Sequence, residues 1–235
     1  MIISLYSTKG GCGKSSTATL LCSAIAEYNL HNPEAPLKTL VLDGDPQGSL
    51  LSFANKRAAI EADDMTISYQ SLDLRMPSKA ISKAIDEAHD LFDILILDCP
   101  GFYDKGIAEF LFVSDFVIVP TGLFQNDLDV ALPTLQMLVK SAEQQQSDLK
   151  AVLSINRTNP SAKNAGFFAG EQRAVIEGTK LPVLQTEIHS LEAIPAMHAY
   201  GLYLHELALQ KYNKTSIKKA RMIANSFFEE IVSLQ

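Results

Sequence analysis

The apolar positions of this chain fall into short runs separated by longer amphipathic stretches. Residues 2–6, 38–42, 93–97 and 116–119 are brief and rich in Ile, Leu and Val. All four predict strands, and residues 93–97 and 116–119 are apolar enough to be covered on both faces. Residues 66–70, 151–155 and 182–186 predict further strands. Between them, residues 15–28, 49–62 and 78–89 have the length and composition of helices, the last opened by Pro77. Across residues 128–142 the apolar positions 128, 131, 132, 135, 138, 139 and 142 recur at helical spacing. Pro133 then belongs in or near the first turn, after a cap by Asp127 or Asp129. Residues 216–234 predict a terminal helix, and residues 157–169, with Asn, Pro, Ser, Gly and Lys, the longest loop.

Strands alternating with helices imply parallel crossovers. The expected fold is α/β, a doubly wound, mostly parallel sheet flanked by helices, as one domain over residues 1–235. Ligands of such sheets gather at the carboxyl ends of the strands. Residues 7–14, 43–47, 98–101 and 120–127 follow strand ends and are where chemistry is expected.

Composition narrows the picture. At 47% apolar and 20% charged residues over 235 positions, the chain can bury a sizeable core. No apolar run approaches the roughly 20 residues of a membrane span, and the first residues lack a signal-peptide pattern. A cytoplasmic protein is expected. Cys12, Cys22 and Cys99 are odd in number and form no CxxC pair, so reduced thiols are expected rather than a zinc site or disulfides. The net charge of −7 argues against a generally basic nucleic-acid coat but leaves room for a local basic patch.

The segment Thr8-Lys9-Gly10-Gly11-Cys12-Gly13-Lys14-Ser15-Ser16 follows a strand and opens a helix. Glycines let backbone N–H groups turn toward phosphate oxygens, and the helix N-terminus adds positive potential. Lys14 is placed for β/γ-phosphates and the Ser15 hydroxyl for Mg²⁺. Two strand ends supply carboxylates: Asp43-Gly44-Asp45-Pro46-Gln47, where residues i and i+2 share a face, and Asp98-Cys99-Pro100-Gly101. Carboxylates beside a phosphate loop repel ATP without a metal, so Mg²⁺ is expected as well as ATP.

The strict GxxxxGK[ST] pattern fails at Thr8, and KGGxGK[ST] stands in its place. Together with the DxDPQ and strand-ending Asp98 motifs, this resembles the deviant Walker A family of P-loop ATPases that includes the ParA partition ATPases and MinD. The resemblance covers nearly the whole chain and weakens after Asn156. It implies nucleotide binding by Lys9, Gly10, Gly11, Cys12, Gly13, Lys14, Ser15 and Ser16. Cys12 stands where the family often has valine. By the same resemblance Lys9 reaches across an ATP-dependent homodimer to the partner's phosphates, and Asp45 positions the attacking water. Catalysis would then rest on Lys9, Lys14 and Asp45. Ser15, Asp43 and Asp98 would serve the metal, with Asp43 near its hydration shell and Asp98 holding a metal-bound water and the Ser15 hydroxyl. Asn156 reads either as an adenine contact, since an amide has both donor and acceptor, or as a turn asparagine. The loop of residues 120–127 matches the family at Pro120 and Asp127 and departs from it at Phe124-Gln125.

Lys211, Lys214, Lys218, Lys219 and Arg221 crowd near the end of the chain. Lys211, Lys214, Lys218 and Arg221 share helical spacing, so one cationic face is expected. The family resemblance makes that face a site for DNA without sequence preference, occupied on the nucleoid in the ATP state. It also implies a cargo-adaptor protein that stimulates slow ATP hydrolysis. No domain precedes the first strand, so the helix-turn-helix of long partition ATPases is not expected. An accessory role in conjugative DNA processing is an alternative. A MinD-like surface regulator is another, but it needs a basic amphipathic tail. Here the apolar positions 223, 227, 231 and 234 read as core packing, and no membrane association is expected.

Overall fold

Side chains along the central strands separate into two apolar layers. The structure is a computed structural model that describes residues 1–62, 65–73, 76–102, 107, 111–159 and 167–234. In β1 (Ile2–Leu5), β4 (Ile94–Asp98) and β5 (Phe116–Thr121), Ile3, Leu5, Ile96, Phe116 and Ile118 face one side. Ile2, Leu95, Leu97, Val117 and Val119 face the other. Strands buried on both faces need apolar residues at every position, which is why they read as unbroken runs in the sequence.

The first layer packs against α1 (Lys14–His31), α2 (Ser49–Ala59), α6 (Ala193–Tyr200), α7 (Leu204–Leu207) and α8 (Lys214–Ser233). The second packs against α3 (Ser78–His89), α4 (Gln125–Gln145) and α5 (Phe167–Thr179). With β2 (Thr39–Asp43), β3 (Ile67–Ser71), β6 (Lys150–Thr158) and β7 (Ile188–His189), the sheet order is β3-β2-β4-β1-β5-β6-β7, and each pairing is parallel. The chain leaves β1 toward one edge, returns through β4 and continues through β5 toward the other. The carboxyl ends of β1, β2 and β4 therefore meet at the crevice where such sheets bind ligands.

The expected fold class holds, with four local corrections. The strand expected at residues 182–186 is reduced to a single bridge between Val183 and Leu153. The Glu230 carboxylate accepts the amides of Gln185 (2.5 Å) and Thr186 (2.9 Å), which draws that segment off the ladder, and pairing resumes at Ile188–His189. Helix α4 begins at Gln125, because the Phe124 carbonyl accepts from the Asp127 and Leu128 amides. Pro133 thus lies about two turns inside the helix. Its missing N–H leaves the Asp129 carbonyl without its i+4 donor, and the buried face of Leu128, Ala131, Leu135 and Leu138 carries the helix through. Third, β6 runs on to Thr158, so the long loop starts later than residue 157; residues 160–166 of it lie outside the described residues. Finally, α5, α6 and α7 were not anticipated. Of the four positions read as core packing, Phe227 and Ile231 of α8 are fully buried, Ile223 is half-buried, and Leu234, just past the end of the helix, is exposed. No helix among the described residues is long and apolar enough to cross a membrane.

Candidate functional site

The loop after β1 closes on α1 through Gly13, whose φ of +104° is disfavoured for residues with a Cβ. A Cβ there would also meet the Asn156 Nδ2 at 3.0 Å. Helix α1 has no side-chain cap and no acidic residue in its first turn. Its orphan N–H groups are therefore free for an anion, as phosphate loops require. Lys14 is buried (6% exposed), and its Nζ lies 3.5 Å from where a Cβ on Gly101 would stand. The Cys99-Pro100-Gly101 turn is thus folded over Lys14 and Gly10. All three cysteines are buried and none forms a disulfide, and burial pushes the Cys99 thiol far up.

Strand register brings the carboxylates together. Asp43 on β2 is the direct neighbour of Asp98 on β4, and Asp98 that of Leu5 on β1. Adjacent strands lie about 4.8 Å apart, so the two carboxylates share one corner of the crevice. Asp98 is 1% exposed; the Ser15 hydroxyl donates to its Oδ2 at 2.5 Å, and its Oδ1 is buried with no partner among the described residues. Burial pushes Asp98 up to about 7, assisted by Asp43 and Asp45 and opposed by the Ser15 hydrogen bond and Lys14.

A buried carboxylate oxygen with nothing to bond is what a divalent cation or its bound water would satisfy. Among the described residues no cluster of three or more His, Cys, Asp or Glu side chains forms a metal cage. That suits Mg²⁺, which is usually held by one or two carboxylates together with substrate phosphates. Ser15 and Asp98 therefore fit Mg²⁺.

Asp43 does something the sequence did not announce. Its Oδ2 accepts from the Leu50 (2.9 Å) and Leu51 (3.0 Å) amides at the start of α2, and its Oδ1 from the Asp45 amide at 3.2 Å. It is a cap for α2 as well as a member of the acidic corner. Asp45 is half-buried and accepts from the Gln47 amide at 2.9 Å. It borders a cleft of about 640 Å³ lined also by Pro46, Leu51, Leu72 and Phe102.

The Asp98 environment has a measurable consequence. Between 3.8 and about 7 the folded protein keeps a proton on Asp98 that the unfolded chain has released. The stability tied to this group is full below that window and falls as pH rises through it. Asp98→Asn is expected to raise the thermal midpoint of the metal-free protein at about pH 8 and to change it little at about pH 4. Parallel pH profiles for the two proteins would contradict this reading of the acidic corner.

Lys9 is engaged by α4. It pairs with the Asp127 carboxylate and donates to the Asn126 carbonyl at 3.0 Å, both in the first turn of α4. Phe124, where the loop departs from the family pattern, is the N-cap residue and is 65% exposed.

Asn156 is no turn asparagine: it sits within β6 and is buried. Its Oδ1 accepts from the Ser154 hydroxyl and its Nδ2 donates to the Thr17 hydroxyl, each at 2.9 Å. An amide has two donor hydrogens and two acceptor lone pairs, so one of each remains. It lines a pocket of about 270 Å³ with Gly13, Ser16, Thr17, Ile194 and Pro195, beside the phosphate loop and apolar enough for a purine. Sequence reasoning missed the Ile194-Pro195 wall, which carries no motif.

The basic cluster is smaller than its spacing suggested. Lys211 precedes the N-cap Asn213 and is not on α8. Arg221 is turned toward α1, where Glu27 accepts from its Nε (3.0 Å) and Nη2 (2.5 Å). Lys211, Lys214, Lys218 and Lys219 are exposed, and none has a salt-bridge partner among the described residues.

Comparison with known proteins places this geometry. Residues 3–230 match the family model described as the CobQ/CobB/MinD/ParA nucleotide binding domain. The maintenance of carboxysome distribution protein A of Halothiobacillus neapolitanus is 25% identical over 194 residues, covering 79% of this chain and 78% of that protein. Protein ParA of Rhizobium radiobacter is 22% identical over 232 residues, covering 98% and 97%. The structure of a Cyanothece McdA–ATP complex superposes with a TM-score of 0.71 at 16% identity, covering 96% of this chain and 95% of that one, a likeness of fold.

Proposed function

This chain belongs to the CobQ/CobB/MinD/ParA family of nucleotide-binding domains and hydrolyses ATP, and from that premise we propose that it positions a cargo through ATP-dependent binding to DNA. The relatives named above, a ParA and a carboxysome distribution protein, support a positioning role. The observation that carries the DNA part is the start of α8. Lys214, Lys218 and Lys219 stand exposed in its first two turns with no salt-bridge partner among the described residues, and Lys214 lies in the first turn, where the helix dipole is positive. A cation there costs about 0.3–1 kcal/mol. A row of such residues on an acidic protein makes sense if it meets an external polyanion.

The roles we propose for the site residues draw on the family resemblance and on their places in the crevice. The phosphate-loop amides and Lys14 hold the β- and γ-phosphates, and Ser15 and Asp98 hold Mg²⁺. When bound, Mg²⁺ offsets the charge that Asp43, Asp45 and Asp98 would otherwise press against the phosphates. Asp45, half-exposed at the mouth of the crevice, orients the attacking water. The pocket beside Asn156 takes the adenine. Lys9, released from Asp127, reaches the phosphates of a second copy, so two chains close over two nucleotides. The whole chain acts as one domain in the cytoplasm, on the nucleoid when ATP is bound. An adaptor protein on the cargo stimulates hydrolysis and release. A MinD-like membrane tail fits less well, because Phe227, Phe228 and Ile231 of α8 are spent on the core.

Counterion release makes log affinity for duplex DNA fall with log salt at about 0.9 per phosphate contacted. A dimer presents two lysine clusters and a monomer one, so the ATP state is expected to show about twice the salt slope of the ADP state. Replacing Lys214 and Lys218 with alanine is expected to weaken binding to every duplex alike and flatten the slope, with ATP binding intact. Titrations of random duplex across a salt series, with ATP and with ADP, read this. Equal affinity in both nucleotide states, or a full slope in the double variant, would remove DNA from the proposal.

A further inference from the structure

Arg57 is a buried charge that the nucleotide chemistry does not use. It lies in the last turn of α2 and is 5% exposed. Its Nη1 and Nη2 donate to the two carboxylate oxygens of Glu206 at 2.6 and 3.0 Å, and Nη1 also donates to the Gly201 carbonyl at 3.2 Å. The guanidinium lies 3.7 Å from the centre of the Tyr203 ring. The Tyr203 hydroxyl in turn bonds Tyr69 of β3 at 2.8 Å. Next to Arg57, the Lys56 ammonium donates to the His198 carbonyl at 2.7 Å. Gly201 ends α6 with φ +67°, and a Cβ there would fall 2.6 Å from the Lys56 Cβ. The end of α6 is therefore pressed onto the end of α2. A buried ion pair is a poor source of stability, since an apolar pair of similar volume does as well or better. What a bidentate, stacked guanidinium adds is a fixed orientation between the elements it joins.

The far ends of those elements give the orientation a meaning. The start of α2 is capped by Asp43, in the acidic corner of the phosphate site. The start of α6 supplies Ile194 and Pro195 to the pocket beside Asn156. The starts of α6 and α8 are tied together: the Ala193 amide donates to the Ser216 hydroxyl at 3.0 Å, and Asn213 donates to Glu192 at 3.1 Å. Asn213 also caps α8 by accepting from the Ser216 amide. A nucleotide spanning the acidic corner and that pocket would meet α2 with its phosphates and α6 with its base, and α6 leads on to the first turn of α8.

We infer that Arg57 is a positioning residue that joins α2, α6 and the start of α8 into one unit, so that nucleotide held between the acidic corner and the base pocket sets the lysine-bearing end of α8. The coupling rests on the proposed nucleotide site; its DNA consequence rests on the proposed function. Because such coupling is reciprocal, DNA bound at Lys214 and Lys218 tightens ATP by the same factor that ATP tightens DNA.

The test is hydrogen exchange at the amides of residues 213–219 with Mg²⁺–ATP, with Mg²⁺–ADP and without nucleotide. It is run on the wild type, on Arg57→Met/Glu206→Met, which replaces the ion pair by an apolar pair, and on Arg57→Lys, which keeps the charge and loses the fork. In the wild type, ATP slows exchange at these amides relative to ADP. In the Met/Met protein that difference disappears while ATP hydrolysis measured without DNA is retained, and in Arg57→Lys it shrinks. Full nucleotide-dependent protection in both variants overturns the inference, and so does its absence from the wild type. If the Met/Met protein does not fold, Arg57→Lys decides alone: a full ATP-dependent difference overturns the inference, and a reduced one supports it. DNA titration of the same wild-type sample keeps the two ideas apart. Nucleotide-dependent protection without DNA binding would sink the proposed DNA function and leave the coupling standing.

Discussion

Asp45→Ala is expected to lower steady-state ATP turnover by about 10²–10⁴-fold, the range for losing a positioned acid–base group. ATP binding and ATP-dependent pairing of two chains are expected to persist. Asp45 neither caps α2 nor bonds Ser15; those tasks belong to Asp43 and Asp98. Its Oδ1 meets only the amide of Gln47, two residues on, and its side chain borders the open cleft. Alanine there removes the carboxylate proposed to orient the attacking water and leaves the hydrogen bonds of Asp43 and Asp98 in place. Turnover measured at saturating ATP decides it, and near-normal hydrolysis would reject the assignment. Asp43→Ala is a different experiment, because the amides of Leu50 and Leu51 would lose their acceptor and α2 its cap.

The two lysines of the phosphate loop are expected to separate cleanly. Lys14 is buried beside the loop amides and Gly101, so its loss leaves bound phosphate charge without its cation. Truncating one partner of a buried charge pair costs about 2–5 kcal/mol, roughly 30- to 4,000-fold in affinity. Lys14→Ala should therefore fail to bind ATP at concentrations that saturate the wild type. Lys9 is held by Asp127 and the Asn126 carbonyl, outside its own phosphate site. Lys9→Ala should bind ATP with near wild-type affinity and fail to dimerise. Equilibrium nucleotide binding and sedimentation, run on both variants, separate these outcomes. If Lys9→Ala loses ATP as Lys14→Ala does, Lys9 serves its own nucleotide and the cross-subunit role is wrong.

Much of this site was legible because its parts are local. A strand buried on both faces reads as an unbroken apolar run, and the run ends where its carboxylate begins. That is why Asp43, Asp45 and Asp98 could be placed at one corner before any coordinates. Strand register then made Asp43 and Asp98 direct neighbours. What was not legible depends on distant partners. Lys211, Lys214, Lys218 and Arg221 share a helical period, but no period reveals that Glu27, 194 residues earlier, takes Arg221 away from that face. The segment 182–186 has strand-like residues, but its amides go to Glu230, 44 and 45 residues later. Pro133 pointed to a helix start, yet burial of Leu128 and Ala131 outweighed the hydrogen bond it removes. The second duty of Asp43 belongs to the same class, since its partners Leu50 and Leu51 lie beyond the reach of a local capping pattern. No sequence pattern marks Arg57, and only the fold brings Glu206, Gly201 and Tyr203 to it.

The account stands on ATP, and not ADP, joining two chains. Sedimentation of the Asp45→Ala protein tests this most directly, because ATP that is not hydrolysed keeps the complex in one state throughout the run. With Mg²⁺ and ATP at concentrations that saturate binding, the account predicts a species of two chains; with Mg²⁺ and ADP, a species of one. A single chain under both conditions would contradict it, and with it the cross-subunit role of Lys9 and the doubled salt slope on DNA.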